Sequence, residues 1–85
     1  MPETTLVQVH LFAAARAAAG VATLEVAAGT LGEVLDRVVA AAPGLAAVLP
    51  RCSYLVDEGA ARPSDLDREV PPGSRLDVLP PFAGG

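Results

Sequence analysis

Thr30-Leu31-Gly32-Glu33-Val34-Leu35-Asp36-Arg37-Val38-Val39-Ala40-Ala41-Ala42-Pro43-Gly44 is the one stretch of this chain with a sustained helical repeat. Thr30 is of the type that accepts a hydrogen bond from the first turn of a helix, and Glu33, three residues on, completes a capping box. Leu31, Val34, Leu35, Val38, Val39 and Ala42 then recur at i, i+3, i+4, i+7 and i+8, while Glu33, Asp36 and Arg37 take the opposite side. Pro43-Gly44 ends the helix, because a residue before proline resists helical geometry and glycine turns the chain away. A helix with a single apolar stripe must lay that stripe on something, and on both sides of it the chain changes to the period of a strand.

Upstream, Leu6 to Phe12 alternates, with Val7, Val9 and Leu11 on one face and Leu6, Gln8, His10 and Phe12 on the other. Ala13 to Ala19 predicts a short alanine-rich helix carrying Arg16 and stopped by Gly20. Ala22 to Ala27 predicts a second strand with Leu24 and Val26 on one face. Downstream, Leu45 to Pro50 is an apolar connector, Cys52 to Val56 a strand and Asp57-Glu58-Gly59 a turn. Ala60 to Glu69 is weakly patterned and predicts a short edge strand or one helical turn. Pro71-Pro72-Gly73-Ser74 is a turn, and Arg75 to Leu79 the last strand, with Leu76 and Val78 inward and Asp77 and Leu79 outward. The order strand, strand, helix, strand, strand predicts an α+β domain, one main helix packed on one face of a sheet.

Composition narrows the function. At 85 residues and 8.6 kDa the chain is a single domain, residues 1–85, with little room for a deep catalytic cleft. Cys52 has no partner for a disulfide, and His10 is the sole histidine, so no zinc site and no metal is expected. The net charge of -4 and the lack of a basic run exclude a nucleic-acid footprint. Met1-Pro2-Glu3-Thr4-Thr5 does not read as a secretory signal and no apolar stretch is long enough to span a bilayer, so no membrane is involved and a cytoplasmic location is expected. Seventeen alanines with no Lys, Ile or Asn point to a GC-rich genome.

The end of the chain, Leu79-Pro80-Pro81-Phe82-Ala83-Gly84-Gly85, carries the chemistry. Two prolines lack backbone donors and favour extended backbone, so they end sheet pairing and project residues 80–85 as a flexible tail. Those residues reach about 20 Å when extended. Gly84 and Gly85 have no Cβ and can pass a channel too narrow for any side chain, delivering a bare carboxylate at its far end. With glycine at about 7% of residues, two in a row is a coincidence of about one in 200 chains. The tail is therefore read as functional.

That ending, preceded by Pro72-Gly73-Ser74-Arg75-Leu76, resembles the C-terminus of the MoaD/ThiS ubiquitin-like sulfur carriers. Val9-His10-Leu11-Phe12-Ala13-Ala14-Ala15-Arg16 with Gly20 resembles, within that family, the small subunits of molybdopterin synthase. The resemblance covers essentially the whole chain. It implies a β-grasp fold, a mixed sheet with the first and last strands parallel at its centre. It also implies that an adenylyltransferase/sulfurtransferase related to ubiquitin-activating enzymes spends ATP on the Gly85 carboxylate, which then becomes a thiocarboxylate. An anionic carboxylate is a poor electrophile and needs such activation. The carrier binds no cofactor and supplies no catalytic side chain: Gly85 is the reacting residue and Gly84 its spacer. The implied acceptor is a precursor held by the large synthase subunit, in a heterotetramer. A carrier for cysteine, thiamin thiazole or a secondary metabolite keeps the same chemistry, and a ubiquitin-like protein modifier is a further alternative. The absence of lysine excludes lysine-linked chains of this protein with itself, which favours a carrier.

Pro80, Pro81, Phe82, Ala83, Leu79 and Phe12 are expected to bind partners, because Phe12, Leu79 and Phe82 put apolar side chains on the outer sheet face or the tail root. Cover by the chain's own Leu45 to Leu49 connector is the competing reading. Arg16 and Arg75 can add rim contacts or stand solvated. His10 is expected to face Asp77, and Cys52 to be a buried, inert thiol.

Overall fold

The computed structural model describes residues 5–57, 59–62 and 64–80. Seven strands and two α-helices follow one another: β1 (Leu6–Leu11), α1 (Ala13–Ala19), β2 (Thr23–Ala27), β3 (Gly29–Thr30), α2 (Leu31–Ala41), β4 (Ser53–Val56), β5 (Gly59–Ala61), β6 (Glu69–Val70) and β7 (Arg75–Leu79). Two 3-10 turns, Pro43–Ala47 and Leu49–Arg51, join α2 to β4.

The main sheet has the order β2-β1-β7-β4-β5. β1 and β7 are parallel at its centre, pairing Gln8 with Arg75, Val9 with Leu76, His10 with Asp77 and Leu11 with Val78. β2 and β4 flank them antiparallel. Strand alternation sends Val7, Val9, Leu11, Val26, Tyr54, Val56, Leu76 and Val78 to one face, where all are buried. The apolar stripe of α2, with Leu31, Val34 and Val38 fully buried, packs among them. Each such Leu or Val contributes about 2 kcal/mol by leaving water.

Both ends of α2 are held as the sequence indicates. The capping box is present: Glu33 N–H donates to Thr30 Oγ1, and Thr30 N–H donates to Glu33 Oε1 at 2.9 Å. The other first-turn donors are met from the far loop, Leu31 N–H by the Arg68 carbonyl and Gly32 N–H by the Leu66 carbonyl. Arg37 donates through Nη1 to the carbonyls of Ala27 and Ala28, tying α2 to the end of β2.

Some expectations shift. β3 and β6 form an additional two-stranded ladder, too short to show periodicity. The connector after α2 is not a loop lying over the outer sheet face: Leu45 and Leu49 are buried in the core on the helix side, which removes it as a cover for Phe12 and Leu79. Phe12 ends β1 as the N-cap position of α1, not as a strand residue. Ala60 lies in β5, an edge strand, as one of the two readings of that region had it.

Candidate functional site

The tail leaves the body from the middle of the sheet. β7 is paired on both sides, so its last residues are fixed before Pro80 ends the ladder. Ser53 of β4 stands opposite Leu79, and Phe12 N–H donates to the Val78 carbonyl at 3.3 Å. The start of β7 is equally held: Arg75 N–H donates to Asp57 Oδ1, and Asp57 N–H to the Arg75 carbonyl, both at 2.8 Å. Asp57 adopts φ 48°, a left-handed conformation that aspartate tolerates better than most residues. Ala13 takes φ 49° as the chain turns from Phe12 into α1, placing a strained alanine beside the tail root.

The outer sheet face around this root is uncovered by the chain's own helices. Phe12 is 38% exposed, and Leu79 and Pro80 are half-buried. Leu55, which the sequence reading did not single out, joins them: it stands in register with Asp77, whose other neighbour is His10. A half-exposed leucine between two apolar core residues, Tyr54 and Val56, gave no period to find it by. Pro80, Leu79 and Phe12 thus gather at one end of the sheet. Pro81, Phe82, Ala83, Gly84 and Gly85 lie outside the described residues.

Asp77 departs from expectation. It lies on the outer face, as predicted, yet is only 8% exposed, because it sits in the central strand with Arg75 laid along it. Its ion pair is with Arg75, Nε to Oδ1 at 2.7 Å, the only one among the described residues; His10 stands beside Asp77 without forming one. Arg75 is thus engaged within the sheet, while Arg16 is exposed on α1.

Among the described residues near the root, Cys52 and Tyr54 are held in the core. Cys52 is 2% exposed, its thiol donates to the Val48 carbonyl at 3.3 Å, and burial pushes its pKa up, away from the reactive thiolate. Tyr54 donates its hydroxyl to the Leu49 carbonyl at 2.8 Å, and burial raises its pKa to about 12. Among the described residues no three His, Cys, Asp or Glu side chains gather as a metal requires, and no helix is long and apolar enough to cross a membrane. What the described residues offer is a tail root fixed in the central strand and an apolar and partly charged sheet face beside it.

Comparison with known proteins bears on family and fold. The ThiS family model matches residues 9–85. The molybdopterin synthase sulfur carrier subunit of Chlamydomonas reinhardtii is 32% identical over 82 residues, covering 93% of this chain and 98% of that protein. Among solved structures, SAMP1 of Haloferax volcanii, a small archaeal modifier protein, superposes with a TM-score of 0.82 at 28% identity, covering 94% of this chain and 99% of that one. Subunit 1 in the complex of molybdopterin-converting factor subunits 1 and 2 from Helicobacter pylori shares the fold, with a TM-score of 0.70 at 21% identity over 94% of this chain and 99% of that one. The arrangement of sheet and helix is the β-grasp.

Proposed function

The chain belongs to the ThiS family, and from that premise we propose that it carries sulfur as a thiocarboxylate on Gly85, serving as the small subunit of a molybdopterin synthase. The observation that carries this reading is the match running through residue 85, onto a Gly-Gly end rooted in the central strand of the sheet. In the chemistry proposed, a Gly85 carboxylate oxygen attacks the α-phosphorus of ATP and releases pyrophosphate. Sulfide sulfur then attacks the acyl carbon and displaces AMP. The resulting thiocarboxylate is a soft nucleophile that hands its sulfur to an acceptor. All three chemical steps belong to partner enzymes, an adenylyltransferase/sulfurtransferase and a large synthase subunit. The carrier contributes reach: Gly84 and Gly85 enter a narrow site while Phe12, Leu55 and Leu79 dock outside it.

The test is the intact mass of the chain after incubation with ATP, sulfide and an activating enzyme from the same cell. Replacement of one oxygen by sulfur, lost when Gly85 is deleted, is expected. The thiocarboxylated chain should then restore molybdopterin synthesis in cells lacking their own small subunit. Failure of that step with a correctly thiocarboxylated protein moves the acceptor to another pathway.

The likeness to SAMP1 favours a second reading, a protein modifier joined through Gly85 to lysines of other proteins. Lysates probed for higher-mass covalent adducts of this chain decide it.

A further inference from the structure

We propose that this chain is built so that its own activated terminus meets no lasting side-chain acceptor among the described residues, which leaves partner nucleophiles as the ones that receive the acyl group; this rests on the reading of Gly85 as an activated acyl donor. All six basic side chains besides His10 are arginines, and none is a lysine. A guanidinium stays protonated and does not attack acyl carbon, whereas a lysine amine does. Among the described residues, the nucleophilic side chains nearest the tail root are turned into the core. Ser53 stands opposite Leu79 at the tail root, and strand alternation directs its neighbours Cys52 and Tyr54 into the core, each 2% exposed. Each also spends its proton on a carbonyl of the preceding turn, Cys52 on Val48 and Tyr54 on Leu49. An acyl group reaching His10 would pass on to water, since acyl-imidazoles hydrolyse. Exposed alcohols such as Ser53 are weak nucleophiles without a base.

The reaction that is avoided is acyl transfer. An amine nitrogen attacks the Gly85 carbonyl, the C–N bond forms, the C–S or C–O bond to the activating group breaks, and the leaving group departs with the pair while the amine loses a proton. It is tested without any activating enzyme. The chain is prepared with its amino terminus acetylated and Gly85 as the thioester of 2-mercaptoethanesulfonate, then held at mildly alkaline pH and followed by intact mass. Arg51→Lys and Arg16→Lys are compared with the wild type. Both arginines are exposed, and neither side chain donates to a group among the described residues, so the folded body is retained. Hydroxylamine capture checks that each thioester is a live donor.

The wild type is expected to give only the hydrolysed acid, and at least one lysine variant an amide-linked cyclic or dimeric product at least about tenfold faster. Self-adducts of the wild type at Cys52, Tyr54 or a hydroxyl, formed as fast as those of the variants, would overturn the proposal. So would two lysine variants that stay adduct-free while hydroxylamine captures their thioesters. A failure of enzymatic thiocarboxylation, by contrast, sinks the carrier reading and leaves this result standing.

Discussion

Replacing Gly44 with alanine places a methyl group against the backbone of α1, the helix that follows the tail-root residue Phe12. A Cβ on Gly44 would lie 2.5 Å from the Ala18 carbonyl oxygen and 3.4 Å from its carbon. Carbon and carbonyl oxygen in ordinary contact stand about 3.3 Å apart, so one segment must retreat by about 0.8 Å. The obstacle is main chain in the last turn of α1, two residues before the left-handed Gly20 cap, and cannot rotate aside as a side chain would. Overpacking of this kind costs about 1–3 kcal/mol, while the stiffer unfolded chain returns about 0.4–1 kcal/mol, so a net loss of about 1–2 kcal/mol is expected. In a domain of this size that lowers Tm by roughly 4–15 °C. Urea unfolding followed by far-ultraviolet circular dichroism reads the change, and Gly20→Ala is the companion. There φ is 79° with no atom within 4 Å, so strain acts alone, at about 1 kcal/mol. A Gly44→Ala chain as stable as the wild type would refute the reasoning, for it would mean that α1 is not held against the turn after α2.

Thr30→Ala removes the acceptor of the capping box and should destabilise by about 1 kcal/mol. The Thr30 backbone and hydroxyl, with Arg37 nearby, hold the Glu33 carboxyl below its ordinary pKa of 4.5. Its stabilisation is therefore present above that value and lost as pH falls through the lower folded one, and acid titration of Glu33→Gln should lack this component. Tyr54→Phe leaves the Leu49 carbonyl without its donor and should cost about 1 kcal/mol at neutral pH. Because the folded phenol titrates at about 12 against 10.0 ordinarily, Tyr54 also makes stability fall as pH rises from 10 toward 12, and the phenylalanine variant should lose that decline in alkaline unfolding. Arg75→Met leaves the nearly buried Asp77 without its partner and should destabilise by about 1–2 kcal/mol, half-exposed Arg75 being partly screened. Arg75→Met with Asp77→Leu should restore much of the loss, which thermal unfolding of the two variants compares.

The elements that carry many residues of one period were legible. α2 and its capping box, β1 and β7 each put their apolar residues where the sequence placed them, because helix and strand periods are local properties. The two-residue β3 and β6 are not local: Gly29 pairs with Val70 across forty residues, and no window of sequence contains that information. Asp77 was placed correctly on the outer face and opposite His10, but the depth of its burial was not legible there. Its burial comes from the neighbouring strands and from Arg75, two residues away on the same face. Leu55 escaped because β4 is apolar at three consecutive positions, Tyr54, Leu55 and Val56, which hides which side faces out. The tail motif led to the family, whose match runs through residue 85, while residues 81–85 lie outside the described residues.

The parallel pairing of β1 with β7 makes the strand that bears the tail also the keystone of the sheet. A polypeptide still lacking residues 75–79 cannot join β1 to β4, so its two halves have no common core. Pairing of positions so distant in the chain is also the slowest kind to form. On the proposed function, an activating enzyme that docked on the folded face beside the root would test, in the same encounter, that the fold is closed. Unfinished or misfolded chains would then be passed over, because the surface that presents their end has not yet been assembled.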